Sequence, residues 1–264
     1  MMTNFETLLI TNPTPYVTLV TLNRPAVANA FNTAMATELM HFFESISIDA
    51  EAIRCVVVTG SGDRAFCAGG DLKERNDMTD EAWGRQHLYY ERMIRAVANC
   101  PLPTVGAING AAFGGGCELG AALDFCYASD NARFAMTEVT LGIIPGAGGT
   151  QNLSRAMGER RAKELILSGK RFNAEEAHQW GLINAVFSQQ NLLAETLKIA
   201  DKIAGNAPIA VRQAKQAIYR GMQMSLADGL AFEIEAYNRT VPTADRREGV
   251  RAFNEKRKPD FQGK

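Results

Sequence analysis

The amino-acid sequence predicts an α/β fold on three observations. Short apolar, β-branched segments alternate with segments of helical period through the first half of the 264-residue chain. Glycine-rich turns follow those apolar segments, the place where α/β folds usually hold ligands. From Gly146 onward the pattern is almost wholly helical, so a mixed core followed by a helical C-terminal part is expected.

The elements follow in order. Residues 16–22, rich in Val, Thr and Leu, read as a strand. Residues 33–48 read as an amphipathic helix, with Met35, Leu39, Phe42, Phe43 and Ile46 at helical spacing and Asn32 as its N-cap. Residues 54–59 form a strand closed by Gly60. A polar loop leads to Phe66-Cys67-Ala68-Gly69-Gly70-Asp71, and residues 80–99 form a helix capped by Thr79. Pro101 and Pro103 end that helix and lead into a strand at 104–108. The turn Gly114-Gly115-Gly116 and a short helix come next, then strands at 124–128 and 133–136. Helices are expected at 150–157, 159–168, 174–180, 192–204, 208–224, 225–239 and 244–256, with one strand at 184–187.

Bulk composition narrows the function. Hydrophobic content of 46% and charged content of 22% are ordinary for a globular protein, and a net charge of −1 gives no nucleic-acid footprint. The five cysteines (Cys55, Cys67, Cys100, Cys117, Cys126) contain no Cys-x-x-Cys and stand far from His41, His87 and His178, so zinc ribbons and disulfide frameworks are poorly supported. No apolar run of membrane-spanning length occurs, and the segment Met1-Met2-Thr3-Asn4-Phe5-Glu6 lacks a basic region followed by a long apolar stretch. The cytoplasm is the expected compartment. Gly146-Ala147-Gly148-Gly149 lacks the third glycine of a dinucleotide fingerprint, and neither a phosphate loop nor a Gly-x-Ser-x-Gly elbow is present.

Chemistry-bearing residues gather around two glycine turns. If Gly69-Gly70 and Gly114-Gly115-Gly116 face each other, the Gly70 and Gly115 N–H groups bind one carbonyl oxygen, as in an oxyanion hole. Glu118 stands near the start of the helix after the second turn, and Glu138 lies in a loop after a short strand. A lone Glu is most often a surface charge, but two carboxylates flanking one water divide acid and base roles.

Five stretches together carry a family resemblance: Asn23-Arg24-Pro25 with Asn29-Ala30; Ala65 to Lys73; Asn109 to Glu118; Leu141 to Gln151; and Asp245 to Gly249 with Phe253 to Arg257. The chain resembles the enoyl-CoA hydratase/isomerase (crotonase) superfamily over essentially its whole length. The resemblance implies a spiral of ββα turns in residues 1–200 and a helical trimerisation region in 201–264, assembled as a homotrimer or homohexamer. It implies an acyl-CoA thioester substrate, no redox cofactor and no metal. Gly70 and Gly115 match the oxyanion-hole donors. Val27, Ala28, Ala68, Asp71, Leu72, Lys73, Phe253 and Lys256 match positions that contact substrate or CoA, the last two in some members from a neighbouring subunit. Glu118 and Glu138 both stand where hydratases carry theirs, whereas members that only isomerise commonly lose the first. The implied enzyme is a lyase of fatty-acid or amino-acid catabolism. An isomerase and a specialised hydratase stay open, since Leu72-Lys73-Glu74-Arg75 also resembles the methylglutaconyl-CoA hydratase branch. A non-catalytic acyl-CoA- or RNA-binding member of the fold is the alternative of another class. Met136, where the family often differs, is expected to bear on the preferred acyl chain.

Overall fold

The computed structural model describes residues 5–264 and has the expected α/β architecture. Met1 to Asn4, on which part of the N-terminal reading rests, lie outside the described residues. In chain order the strands are β1 (Leu8–Thr14), β2 (Val17–Leu22), β3 (Cys55–Gly60), β4 (Ala65–Cys67), β5 (Thr104–Ile108), β6 (Ala111–Phe113), β7 (Phe125–Ser129), β8 (Arg133–Ala135), β9 (Phe172–Asn173) and β10 (Ala185–Phe187). The helices are α1 (Thr33–Ile48), α2 (Leu72–Arg75), α3 (Asp80–Ala98), α4 (Gly115–Ala122), α5 (Gly149–Met157), α6 (Glu159–Ser168), α7 (Ala174–Gln179), α8 (Leu192–Ala204), α9 (Pro208–Gly221), α10 (Leu226–Thr240) and α11 (Ala244–Asn254).

Two sheets form, ordered β1-β2-β3-β5-β7-β10 and β4-β6-β8-β9. All pairings are parallel except β1 with β2 and β8 with β9. The chain repeatedly lays one strand in the large sheet, one in the small sheet, and then a helix: β3, β4 and α2–α3; β5, β6 and α4; β7, β8 and α5–α6. This is the spiral of ββα turns.

The strand sequences explain the burial. β3 and β5 are buried at every position, as parallel strands covered on both faces must be. Successive side chains point to opposite faces. Val56 and Val58 enter a core with Leu39 and Phe43 of α1, Met93 and Val97 of α3 and Leu119 of α4. Cys55 and Val57 enter a second core, closed by Leu192, Ala200 and Ala204 of α8. That helix runs across position 200 and covers the outer face of the large sheet. Helix starts follow the capping residues: Asn32 accepts from the Met35 N–H and Thr79 from the Ala82 N–H.

Four strands go beyond the sequence reading. β1 is an edge strand with an irregular register after Thr11, and its Asn12 and Pro13 mask the β signal. β4, β6 and β9 have three residues or fewer, too short to show a period. The segment before the second glycine turn is therefore β6, not β5. After α8 the chain forms α9 and α10, which pack on each other, then α11. Lys215 of α9 reaches back to the sheet, 2.7 Å from Asp124, and donates to the Leu102 carbonyl at 2.8 Å. Among the described residues no helix is long and apolar enough to cross a membrane, and all five cysteines are buried and free.

Candidate active site

β4 and β6 deliver two glycine turns to the same place. Gly69 and Gly114 hold φ of +90° and +50°, backbone that L side chains rarely adopt. A Cβ built on Gly69 would stand 3.1 Å from the Gly115 nitrogen, and one on Gly115 would stand 3.6 Å from Gly69 Cα. The turns are in contact. Among the described residues neither the Gly70 nor the Gly115 N–H donates to a protein acceptor, and Gly115 opens α4, where N–H groups have no helical partner.

Phe31 spaces the two turns. Its N–H donates to the Gly69 carbonyl at 2.7 Å, and its carbonyl accepts from the Asp71 N–H and the Tyr90 hydroxyl, each at 2.7 Å. Its ring lies 3.3 Å from the place a Gly115 Cβ would take. Buried Asn29 fixes the preceding segment, donating to the Ser61 and Ala65 carbonyls and accepting from the Arg24 N–H.

The two carboxylates differ in their surroundings. Glu118, on the first turn of α4, is buried, and its Oε1 accepts from the Ala147 and Gly149 N–H groups at 2.8 Å each. Burial raises its pKa above the ordinary carboxylate value, partly offset by those two donors. The turn Gly146-Ala147-Gly148-Gly149 thus works as the N-terminus of α5, holding the Glu118 carboxyl oxygen. Glu138 opens a single 3₁₀ turn, Glu138–Leu141, rather than lying in an open loop. It is buried, and neither oxygen has a protein partner. Burial first, and the Glu118 charge in addition, push its pKa up to about 7. Both carboxylates are thus raised by burial; two backbone donors oppose the rise at Glu118, and Glu138, without such donors, retains a proton near neutrality.

Both face one cavity of about 490 Å³. Gly70, Gly115, Glu118, Glu138, Ala68 and Leu72 are on its wall. Asp71 is not: its side chain caps α2 and pairs with Arg24 at 2.9 Å. Burial raises the Asp71 pKa, but bonds from Arg24 and the α2 backbone outweigh it, so the value falls below the ordinary one. Lys73 is exposed on α2. Val27 and Ala28 are not on the wall, though the Ala28 carbonyl accepts from the N–H of the wall residue Ala68 at 3.0 Å. Phe253 and Lys256 lie at the far end of the chain, on and after α11, away from this wall. Met136 is fully buried behind the Glu118 clamp, its Cε 2.5 Å from where a Gly149 Cβ would stand, and not on the wall.

Sequence reasoning passed over Arg75 of α2 and Trp83, His87 and Tyr90 of α3, all on the wall. The spacing 83, 87 and 90 places the α3 side chains on one helix face, the signal that was available. No group of three or more metal-ligating side chains occurs among the described residues.

Residues 14–264 match the family model described as enoyl-CoA hydratase/isomerase. A short-chain-enoyl-CoA hydratase from Clostridium acetobutylicum is 41% identical over 242 residues, covering 92% of each chain. A 2,3-dehydroadipyl-CoA hydratase from Escherichia coli is 39% identical over 265 residues, covering 97% of this chain and 99% of that one. The crystal structure of an enoyl-CoA hydratase from Bacillus anthracis superposes with a TM-score of 0.96 at 44% identity, covering 98% of this chain and all of that one. Sequence and architecture agree: the chain belongs to the enoyl-CoA hydratase/isomerase family.

Proposed function

We propose that the protein is an enoyl-CoA hydratase, a lyase that reversibly adds water across the 2,3 double bond of a 2-enoyl-CoA to give a 3-hydroxyacyl-CoA. The observation that carries this is the meeting of two buried carboxylates and two unengaged backbone N–H groups on one cavity wall. Gly70 and Gly115 polarise the thioester carbonyl, which makes C3 electrophilic. Glu118, fixed by the Ala147 and Gly149 N–H groups, takes a proton from water in its carboxylate form as the water oxygen bonds to C3. The π electrons move to the thioester oxygen as an enolate held by the two N–H groups. Glu138 gives its proton to C2, and the carbonyl re-forms. Protons exchanged with solvent reset both carboxyls.

The same reading places CoA along Val27, Ala28 and Ala68, with Phe253 and Lys256 reaching it from a neighbouring subunit. Met222, Leu226 and Phe253 are at least 80% exposed in the single chain, which supports a homotrimer or a dimer of trimers built on the C-terminal helices. It requires no redox cofactor or metal, and a cytoplasmic location is carried over from the sequence.

The test follows the conjugated-thioester absorbance of 2-enoyl-CoAs with purified protein. Loss of absorbance with formation of the 3-hydroxyacyl-CoA is expected. Conversion of a 3-enoyl-CoA into the conjugated 2-enoyl isomer, without hydration, would make the protein an isomerase instead.

A further inference from the structure

His87 takes no part in the steps proposed above, yet it stands on the cavity wall beside the segment that holds Glu118. That segment has little else to fix it. Among the described residues, no N–H or carbonyl from Ile144 to Ala147 joins a backbone–backbone hydrogen bond, and Ile144 is 71% exposed. The Ala147 N–H instead donates to Glu118 Oε1 at 2.8 Å. A charge-assisted bond of this kind weakens steeply as length and angle depart from ideal, so its strength depends on what keeps the segment in place.

His87 supplies a contact suited to that task. A Cβ built on Gly146 would stand 2.4 Å from His87 Cε1 and 2.7 Å from Nε2, so the imidazole edge fills the room a side chain at 146 would need. Gly146 does not have the left-handed φ of Gly142 and Gly148 on either side of it. Glycine is therefore required at 146 for close approach, not for backbone conformation. The ring is carried by a well-anchored element: Met93 and Val97 of the same helix, α3, lie in the main core. Its nitrogens have no hydrogen-bond partner among the described residues, so what it offers the segment is packing.

We propose that His87 is a positioning residue for Glu118: its ring backs Gly146 so that the neighbouring Ala147 N–H stays trained on Glu118 Oε1. That Glu118 is the base rests on the hydratase reading; the contact itself does not. Burial favours the protonated form of Glu118, and the Ala147 and Gly149 N–H groups oppose it. Removing the ring lets the segment drift, weakens the Ala147 bond and leaves burial less opposed. The other titratable groups around Glu118 stay as they are: Glu138, Arg75 and Tyr90 share its wall, and the thiols of Cys67 on β4 and Cys117 on α4 lie in the elements that meet there.

The experiment titrates the Glu118 carboxyl in the full-length protein without substrate. Glutamate labelled with ¹³C at the side-chain carboxyl is followed by NMR, and the Glu118 signal is assigned by its loss in Glu118→Gln. His87→Ala should raise the Glu118 pKa by about one to two units, the worth of a weakened bond to a charged group. His87→Phe, which keeps a ring but no titratable nitrogen, should leave it near the wild-type value. Gly146→Ala, whose methyl collides with the ring, should raise it as well, and the double substitution should give less than the sum, because both changes break one contact. An unmoved Glu118 in His87→Ala, an equal rise in His87→Phe, which would trace the effect to imidazole charge, or strictly additive shifts would overturn the proposal. With a 2-enoyl-CoA, the acid limb of kcat/KM should move in His87→Ala by the same amount as the carboxyl and stay in place in His87→Phe. A shifted carboxyl with no hydration of any 2-enoyl-CoA would sink the hydratase reading and support the His87 assignment; hydration with an unmoved carboxyl would do the reverse.

Discussion

Replacing Glu138 with Gln removes a titration that the fold makes expensive. Burial, with a contribution from the Glu118 charge, moves the carboxyl from its ordinary 4.5 to about 7. The folded state then binds more protons than the unfolded chain between those two values. The stability contributed by this group is fully present below about 4.5 and is lost as pH rises through about 7. Above pH 7 the cost is on the order of 2 to 3 kcal/mol, allowing for screening by water that reaches the cavity. The amide of Glu138→Gln has similar shape and no charge to bury. Thermal unfolding measured from pH 4.5 upward should therefore show wild type losing ground to the variant, by roughly 5 °C once above pH 7. The same protonation governs catalysis: as the donor to C2, Glu138 must carry a proton, so kcat/KM for hydration should fall above about pH 7. The variant should turn over about 10²- to 10⁴-fold more slowly. Parallel stability curves for the two proteins across this range, or hydration that keeps rising above pH 8 in wild type, would refute the reasoning.

Glu118→Gln keeps an oxygen for the Ala147 and Gly149 N–H groups but loses the base, so kcat should drop about 10²- to 10⁴-fold with CoA-ester binding retained. Steady-state kinetics beside calorimetric binding checks the split. Two glycines of α4 should respond oppositely to Ala: a Cβ on Gly116 would stand 2.1 Å from the Cys67 carbonyl oxygen, whereas one on Gly120 meets only Ile108 Cδ1 at 3.6 Å. Denaturant titration should find Gly116→Ala destabilised by about 3 kcal/mol and Gly120→Ala stabilised by about 0.5–1 kcal/mol. Sedimentation of the purified protein should show trimers or hexamers, and a monomer alone would contradict the assembly proposed from the exposed faces of the C-terminal helices.

The strongly patterned elements were legible in the sequence because their information is local. Asn32 and Thr79 start α1 and α3 by bonds three residues long, and β3 and β5 are continuous apolar runs. The short strands β4 and β6 were not legible, because pairing between them depends on residues far apart in the chain. The site divides in the same way. Glu118 and Glu138 were found from their motif neighbours, but what separates their proton affinities was not. That difference comes from Ala147 and Gly149, about thirty positions downstream of Glu118, donating to one carboxylate while the other receives nothing. Arg75 was invisible as a wall residue because an arginine on a short polar helix reads as solvated. Only the tertiary placement of Trp83, Gln86 and Tyr90 buries it.

The central claim is that this cavity adds water to C3 of an enoyl thioester. Its most direct test is turnover of a 2-enoyl-CoA in oxygen-labelled water, read by mass spectrometry of the product. The account predicts one labelled oxygen, located on C3, incorporated by wild type and strongly reduced in Glu118→Gln. Product without label at C3, or incorporation at the same rate in Glu118→Gln, would contradict it.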